Sequence, residues 1–332
     1  MRIKYFPGAN TSKGFISNFT SIVPPWEKDS FTYILKGGPG VGKNTLMKKL
    51  AAYASASGYN VEEFRCASDP DSFDGIRIIE KNIVVLDGTK PHIIDPECPG
   101  ISDIIVDLGF FKDTDILKSK KERLLRLLRE NKAHYNFAYS YLNTAYELKK
   151  EAVKSIENII DYDCVYDTLI SIFSKINENG SETRFLYSKT FTPLGIIDFE
   201  ERIVKDVRTY KFSGLSGYYV MAVAYKLLEN VRKTVFFDSL FTDTPNLILI
   251  KDDPVALSWD IEGKEPNEML KSYLMDECRT NLNYASELEK KAASELNKSK
   301  EIHDEIEKLY RSHVDFEKVN KRCEELLIET GF

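Results

Sequence analysis

The chain has 332 residues, a formal net charge of −6, 42% hydrophobic and 30% charged residues. That length favours two domains over one continuous core, and the balance is that of a folded chain rather than a disordered one. The acidic net charge gives no global electrostatic ground for a nucleic-acid or anionic-membrane partner, and neither is expected. Cys66, Cys98, Cys164, Cys278 and Cys323 are odd in number and contain no CxxC spacing, so they read as reduced thiols rather than disulfides or a zinc site. No apolar run reaches bilayer length, and cytoplasmic residence is the expectation.

In chain order, "SFTYILK" (30–36) predicts a short strand, and "KNTLMKKLAAYASASG" (43–58) predicts a helix stopped by a glycine. "YNVEEFRCAS" predicts a second strand, and "NIVVLDGT" (82–89) a strand with the continuous apolar run of a parallel strand buried on both faces. From Asp115 to Phe173, leucines at helical spacing predict a pair of long helices, and "INENGSETR" (176–184) reads as a linker.

The second half repeats this plan. "TYILKGGPGVGKNTLMKKL" (32–50) aligns without gaps to "TYKFSGLSGYYVMAVAYKL" (209–227), "RIKYFPGANTSKGFISNF" resembles "RFLYSKTFTPLGIIDF", and "NIVVLDGTKPH" resembles "NLILIKDDPVA". A charged, amphipathic stretch from Glu268 to Glu329 predicts a second helical hairpin packed on its own domain, with a partner-binding or self-associating coiled coil as the alternative. The expected fold is therefore α/β. It comprises two tandem P-loop-like, doubly wound parallel-sheet domains, 1–178 and 179–332, each with a helical-hairpin extension.

The chemistry concentrates in "GGPGVGKNT". Gly37, Gly38, Pro39, Gly40, Val41, Gly42, Lys43, Asn44 and Thr45 fit the G-x-x-x-x-G-K-[ST] phosphate loop except at Asn44. Glycines let backbone N–H groups approach phosphate oxygens, the following helix adds partial positive charge, and Lys43 reaches the β- and γ-phosphates. Asn44 offers an amide oxygen where a hydroxyl normally meets Mg²⁺, which predicts nucleotide binding with slow hydrolysis. Thr45 lies about 100° round the helix and is not a substitute for it. Asp87 closes an apolar strand, the position from which a carboxylate holds Mg²⁺ opposite such a loop. "SDPDSFDG" supplies Asp69, Asp71 and Asp74, one of which is expected to orient a water or serve as a second metal ligand, with Asp71 the catalytic candidate. His92, five residues past Asp87, is a γ-phosphate sensor or acid/base candidate. The "HDEIE" stretch (303–307) reads as a solvent face. In the second half Tyr219 stands at the Gly42 position, Val220 at the Lys43 position and Lys251 at the Asp87 position. That copy is degenerate.

The loop, the segment Cys66 with Ser68 to Gly75, and the segment Asp87 to His92 together resemble a family of bacterial tandem P-loop proteins generically labelled ATPases. The resemblance implies ATP and Mg²⁺ as ligands. It also implies an intact loop in both halves, from which this sequence departs. The leading expectation is an ATP-binding protein with weak or partner-stimulated hydrolysis. Alternatives are a small-molecule or nucleotide kinase, with Arg123, Arg126 and Arg129 as lid candidates, and a non-catalytic nucleotide-responsive scaffold.

Overall fold

A computed structural model describes residues 1–27, 29–262 and 276–332. The first part of the expected second hairpin, from Glu268 to residue 275, lies outside the described residues. The chain opens with β1 (Arg2–Tyr5) and a hairpin of β2 (Gly8–Thr11) and β3 (Gly14–Ser17), followed by β4 (Phe31–Lys36), α1 (Lys43–Ala56), β5 (Val61–Arg65), β6 (Phe73–Ile78), β7 (Ile83–Asp87) and β8 (Asp103–Asp107). The helices α2 (Thr114–Ser119), α3 (Lys121–Ser155) and α4 (Tyr162–Phe173) end the first half. The second half runs β9 (Thr183–Tyr187), β10 (Lys189–Thr192), β11 (Gly195–Asp198), α5 (Glu200–Ile203), β12 (Arg208–Ser213), α6 (Ser216–Leu227), β13 (Lys233–Phe237), β14 (Pro245–Ile250) and β15 (Val255–Asp260). It closes with α7 (Asp276–Arg311) and α8 (Phe316–Glu329).

The duplication is visible in the sheets. The first has the order β1-β5-β6-β7-β4-β8, and the second, read from its far edge, β9-β13-β14-β15-β12. In both, the first pair is parallel, the next two pairings are antiparallel, and the pairing with the strand before the loop is parallel again. The expected purely parallel sheets are thus corrected to mixed ones. Phe73–Ile78 folds back on β5 because the Asp- and Pro-bearing segment ahead of it makes a short connection, which permits only an antiparallel neighbour. Among the described residues only the first sheet carries an extra edge strand, β8.

The helical arms do not stay with their own halves. α3, 35 residues and about 50 Å long, runs along α7, with Leu124 and Leu127 against Ile306 and Leu309. Its C-terminal part, with Ala145, Ala152 and Val153, joins Leu169 of α4 in the core built around α6 and the second sheet. Conversely, Val319, Cys323 and Leu326 of α8 close the first-half core against Met47, Leu50 and Ala51 of α1. The second hairpin is therefore divided: Ala285, Ala292 and Leu296 of α7 pack on the second-half core as expected, whereas α8 crosses to the first half, and a cut at 178/179 separates the two sheets. Part of the apolar surface of each arm is buried inside the molecule, each fully buried aliphatic side chain contributing about 1.5–3 kcal/mol, while Leu125 and Phe137 of α3 stay exposed.

Between the sheets, Phe6 and Tyr187 exchange backbone hydrogen bonds of 3.0 Å in each direction. Beneath them Arg184 grips Glu62 with two bonds, 2.8 and 2.9 Å, and Arg77 adds a third at 2.9 Å. Burial pushes the Glu62 carboxyl up, but the two guanidiniums outweigh it and hold the pKa below the ordinary value. Removing one partner of this buried cluster would leave an uncompensated charge between the halves. No helix among the described residues is long and apolar enough to cross a membrane.

Candidate phosphate-binding site

β4 sits between β7 and β8, so its C-terminal end emerges beside Asp87. The chain then turns through Gly37 at φ 137°, Gly40 at 73° and Gly42 at 100° before α1 starts at Lys43. These are left-handed conformations that side chains resist, and the Gly40 requirement is doubled by crowding: a Cβ there would lie 2.9 Å from Glu307 Cγ. Successive turns of this kind are the backbone geometry from which anion-binding nests are made, and they stand ahead of a helix whose first turn carries no acidic residue.

Lys43 is buried. Its Nζ donates to Gly37 O at 2.6 Å and Gly38 O at 3.1 Å and lies 3.5 Å from Asp87 Oδ2. Burial lowers its pKa, and Asp87 opposes that shift. Asp87 accepts from Thr89 N (2.9 Å) and Thr89 Oγ1 (2.6 Å) through Oδ1, so Oδ2 is the oxygen turned to the loop. Asn44 has a different employment from the expected metal ligand. Its Oδ1 accepts from Phe73 N at 3.1 Å and its Nδ2 donates to Ser72 Oγ at 3.0 Å, which in turn donates to Asp69 at 2.8 Å. An amide can donate and accept at once, and here it ties α1 to the start of β6, which a serine is too short to do in the same way.

Asp71 is exposed and is not part of the cavity wall, a correction to its candidacy. Asp74 lies in the wall instead. Because β6 begins at Phe73, Asp74 is carried into the sheet, 6% exposed, and burial, reinforced by the charge of Asp87, raises its pKa to about 8. His92 is 7% exposed and stacks on Phe19, with ring centres 4.0 Å apart. Neither ring nitrogen has a hydrogen-bond partner. Burial brings its pKa down to about 4, against the attraction of Asp87, so the ring is neutral at pH 7.

These groups line one cavity of about 720 Å³, bounded on the far side by α3 and α7. Sequence reasoning missed this cover. Glu307 and Arg311 of α7 lie on Gly40, Tyr310 lies on Gly38, and His303, exposed as a solvent-face residue, also borders the cavity. Arg311 sits over the Phe316 ring at 5.7 Å. Arg123, Arg126 and Arg129 are exposed and absent from the wall, Arg123 being bound to Glu305 at 2.6 Å. Within the described residues no group of three or more His, Cys, Asp or Glu is placed to hold a metal ion unaided.

The second loop is built differently. Gly214 keeps a left-handed φ of 72°, but α6 begins at Ser216, ahead of the Lys43 equivalent Val220, so the helix overruns the loop. Leu35 pairs with Asp87 and its equivalent Phe212 pairs with Trp259. Trp259, not Lys251, therefore stands in the Asp87 position, because β14 corresponds to β6 rather than β7. The indole Nε1 donates to Gly214 O at 2.7 Å, and a Cβ on Gly217 would lie 2.1 Å from the ring. Tyr219 turns away and donates to Val153 O of α3 at 3.1 Å. The phosphate space is filled by Trp259, not by Tyr219.

No known protein family, curated protein or solved structure matches the chain.

Proposed function

We propose that the first half binds the triphosphate of a nucleotide, ATP by the resemblance, together with Mg²⁺, and that the second half does not. The observation that carries this reading is the glycine loop between β4 and α1 with Lys43 set 3.5 Å from Asp87 at the strand ends, opening into a cavity. The residues fit the ligand. Lys43 Nζ and the loop N–H groups would hold the β- and γ-phosphates, and Arg311 reaches the same loop from α7. Mg²⁺ typically keeps one or two carboxylates and completes its shell with phosphate oxygens and water, which suits Asp87 Oδ2 and the absence of a three-ligand protein cage among the described residues. When bound, the ion neutralises charge on the transferring phosphoryl group. Asp74 and His92, neutral at pH 7, add no negative charge beside the phosphates.

Turnover by this arrangement is slow, since Asn44 is committed to Phe73 and Ser72. Isothermal titration with ATP in the presence and absence of Mg²⁺ tests the reading. Binding that is strengthened by Mg²⁺ and lost in Lys43→Ala is expected, and an unliganded native chain at millimolar ATP would refute it. The scaffold reading draws less support, because the apolar seams of α3 and α7 face each other and are not left for a partner.

A further inference from the structure

The two edges of the first sheet differ. β1 leads into Phe6, whose backbone bonds to Tyr187 join that edge to the second half. β8 pairs with β4 on one side and, among the described residues, with no strand on the other. Thr32 N donates to Ser102 O, so by the alternation of a parallel ladder the backbone groups of Ile104 and Val106 face β4 and those of Ile105 and Asp107 face outward. Asp103 O, on the outward side as well, accepts from Gly100 N at 2.7 Å. The chain's own turn thus closes the edge at Asp103 and leaves it open at Ile105 and Asp107. Unpaired edges are ordinarily blunted by lysine, proline, a bulge or a covering element. β8 reads Asp-Ile-Ile-Val-Asp in unbroken register, and the side chains of Ile104 and Ile105, on opposite faces, are both exposed. Ile101 before the strand and Phe110 after it are 82% and 80% exposed, the highest values among the described large apolar side chains.

We propose that β8 is the interface of a two-fold dimer of this chain, in which the two β8 strands pair antiparallel, edge to edge, and join the two six-stranded sheets. The partner is a second copy because the edge is complementary to itself. With the axis at Val106, Ile105 of each copy stands opposite Asp107 of the other, and each such pair exchanges both of its backbone bonds. The outward groups left open in the single chain are thereby satisfied together. Ile101 and Phe110 stand at nearly equal sequence distances on either side of Val106, so the axis brings Ile101 of each copy beside Phe110 of the other. The charges agree with this register. Asp107 meets an isoleucine, and Asp103 lies beyond the ladder. An axis at Ile105 would instead set Asp103 against Asp107, a repulsive cross-strand pair, and would call on Asp103 O, which Gly100 N already occupies. A contact of this symmetry closes on itself and stops at two copies.

Sedimentation equilibrium of the full chain, combined with hydrogen exchange resolved to single residues, tests this. A dimer with a Kd below about 100 µM is expected. In it the amides of Ile105 and Asp107 should exchange at least about tenfold more slowly than in the monomer, while those of Ile104 and Val106, already bonded to β4, change little. Ile105→Lys sets a charge on the open edge and should raise the Kd about tenfold or more. Leu194→Ser removes a comparably exposed apolar side chain at the turn between β10 and β11 and should leave the Kd within about twofold. A chain that is wholly monomeric at about 100 µM overturns the proposal. So does a dimer in which Ile105 and Asp107 stay unprotected, or one that a folded Ile105→Lys chain forms equally well, since association then runs through another surface. If Ile105→Lys lowers the melting temperature by more than a few degrees, the exchange rates of the unaltered chain decide alone.

Discussion

The same loop carbonyl is capped in both halves, by opposite chemistry. Gly37 O accepts from the ammonium of Lys43, which faces the carboxylate of Asp87, whereas Gly214 O accepts from the neutral indole of Trp259. An ion pair beside an open nest can exchange its partners for phosphate. An indole wedged against Gly217 cannot, and it converts a polar pocket into core. The difference teaches how one framework accommodates either an open, charged loop or a packed, neutral one. Sheet order, hairpin and helix are retained, while one tryptophan supplies the hydrogen bond that a charged pair supplies in the other half.

Removing the tryptophan is the strongest way to break this comparison. Trp259→Ala should destabilise the chain by about 3–5 kcal/mol, as truncation of a buried aromatic does, and leave ATP affinity unchanged once the protein is kept folded. Denaturant melts with parallel titrations would show both. Lys43→Ala should do the reverse, lowering ATP affinity about 100-fold or more with little change in melting, because a charge-assisted contact to phosphate is lost while the fold keeps its core. Val220→Ala, at the equivalent position, should leave ATP binding alone.

Asn44 sharpens the comparison further. Asn44→Ala forfeits its two bonds to the β6 entry and should cost about 1–2 kcal/mol in a denaturant melt. Asn44→Ser places a hydroxyl at the metal position and should raise Mg²⁺-dependent phosphate release. The smallest effect is a pH slope. Asp74, raised to about 8 in the fold against an unfolded value near 3.9, contributes stability that is full below about pH 4 and is lost as the pH rises towards 8. Asp74→Asn should therefore gain melting temperature relative to the native chain between pH 5 and 8. His92 works the other way, its contribution being complete above about pH 6.5 and lost as the pH falls through about 4.

How much of this was legible depended on the range of the interactions. β4, the loop, α1 and the strand ending in Asp87 are local patterns, and the sequence places them within a residue or two. Asp74 was obscured because Asp- and Pro-rich sequence reads as a loop, although the alternation in "FDGIRI" was a signal that a strand begins at Phe73. The strings "NIVVL" and "NLILI" look alike, yet the strand pairing matches the second to β6, which put Lys251 in a place that belongs to Trp259. The exchange of arms, and with it Glu307 and Arg311 over the loop, was not readable at all. Helical periodicity states which face is apolar but not which half receives it.

The most direct measurement is a crystal structure of the chain with Mg²⁺ and a non-hydrolysable ATP analogue. The account predicts phosphate density on the backbone N–H groups of Gly38 to Thr45, with Lys43 Nζ moved from the loop carbonyls to phosphate oxygens and Trp259 still bonded to Gly214 O. Phosphates seated at Gly214, or bound in the cavity without touching Lys43, would contradict it.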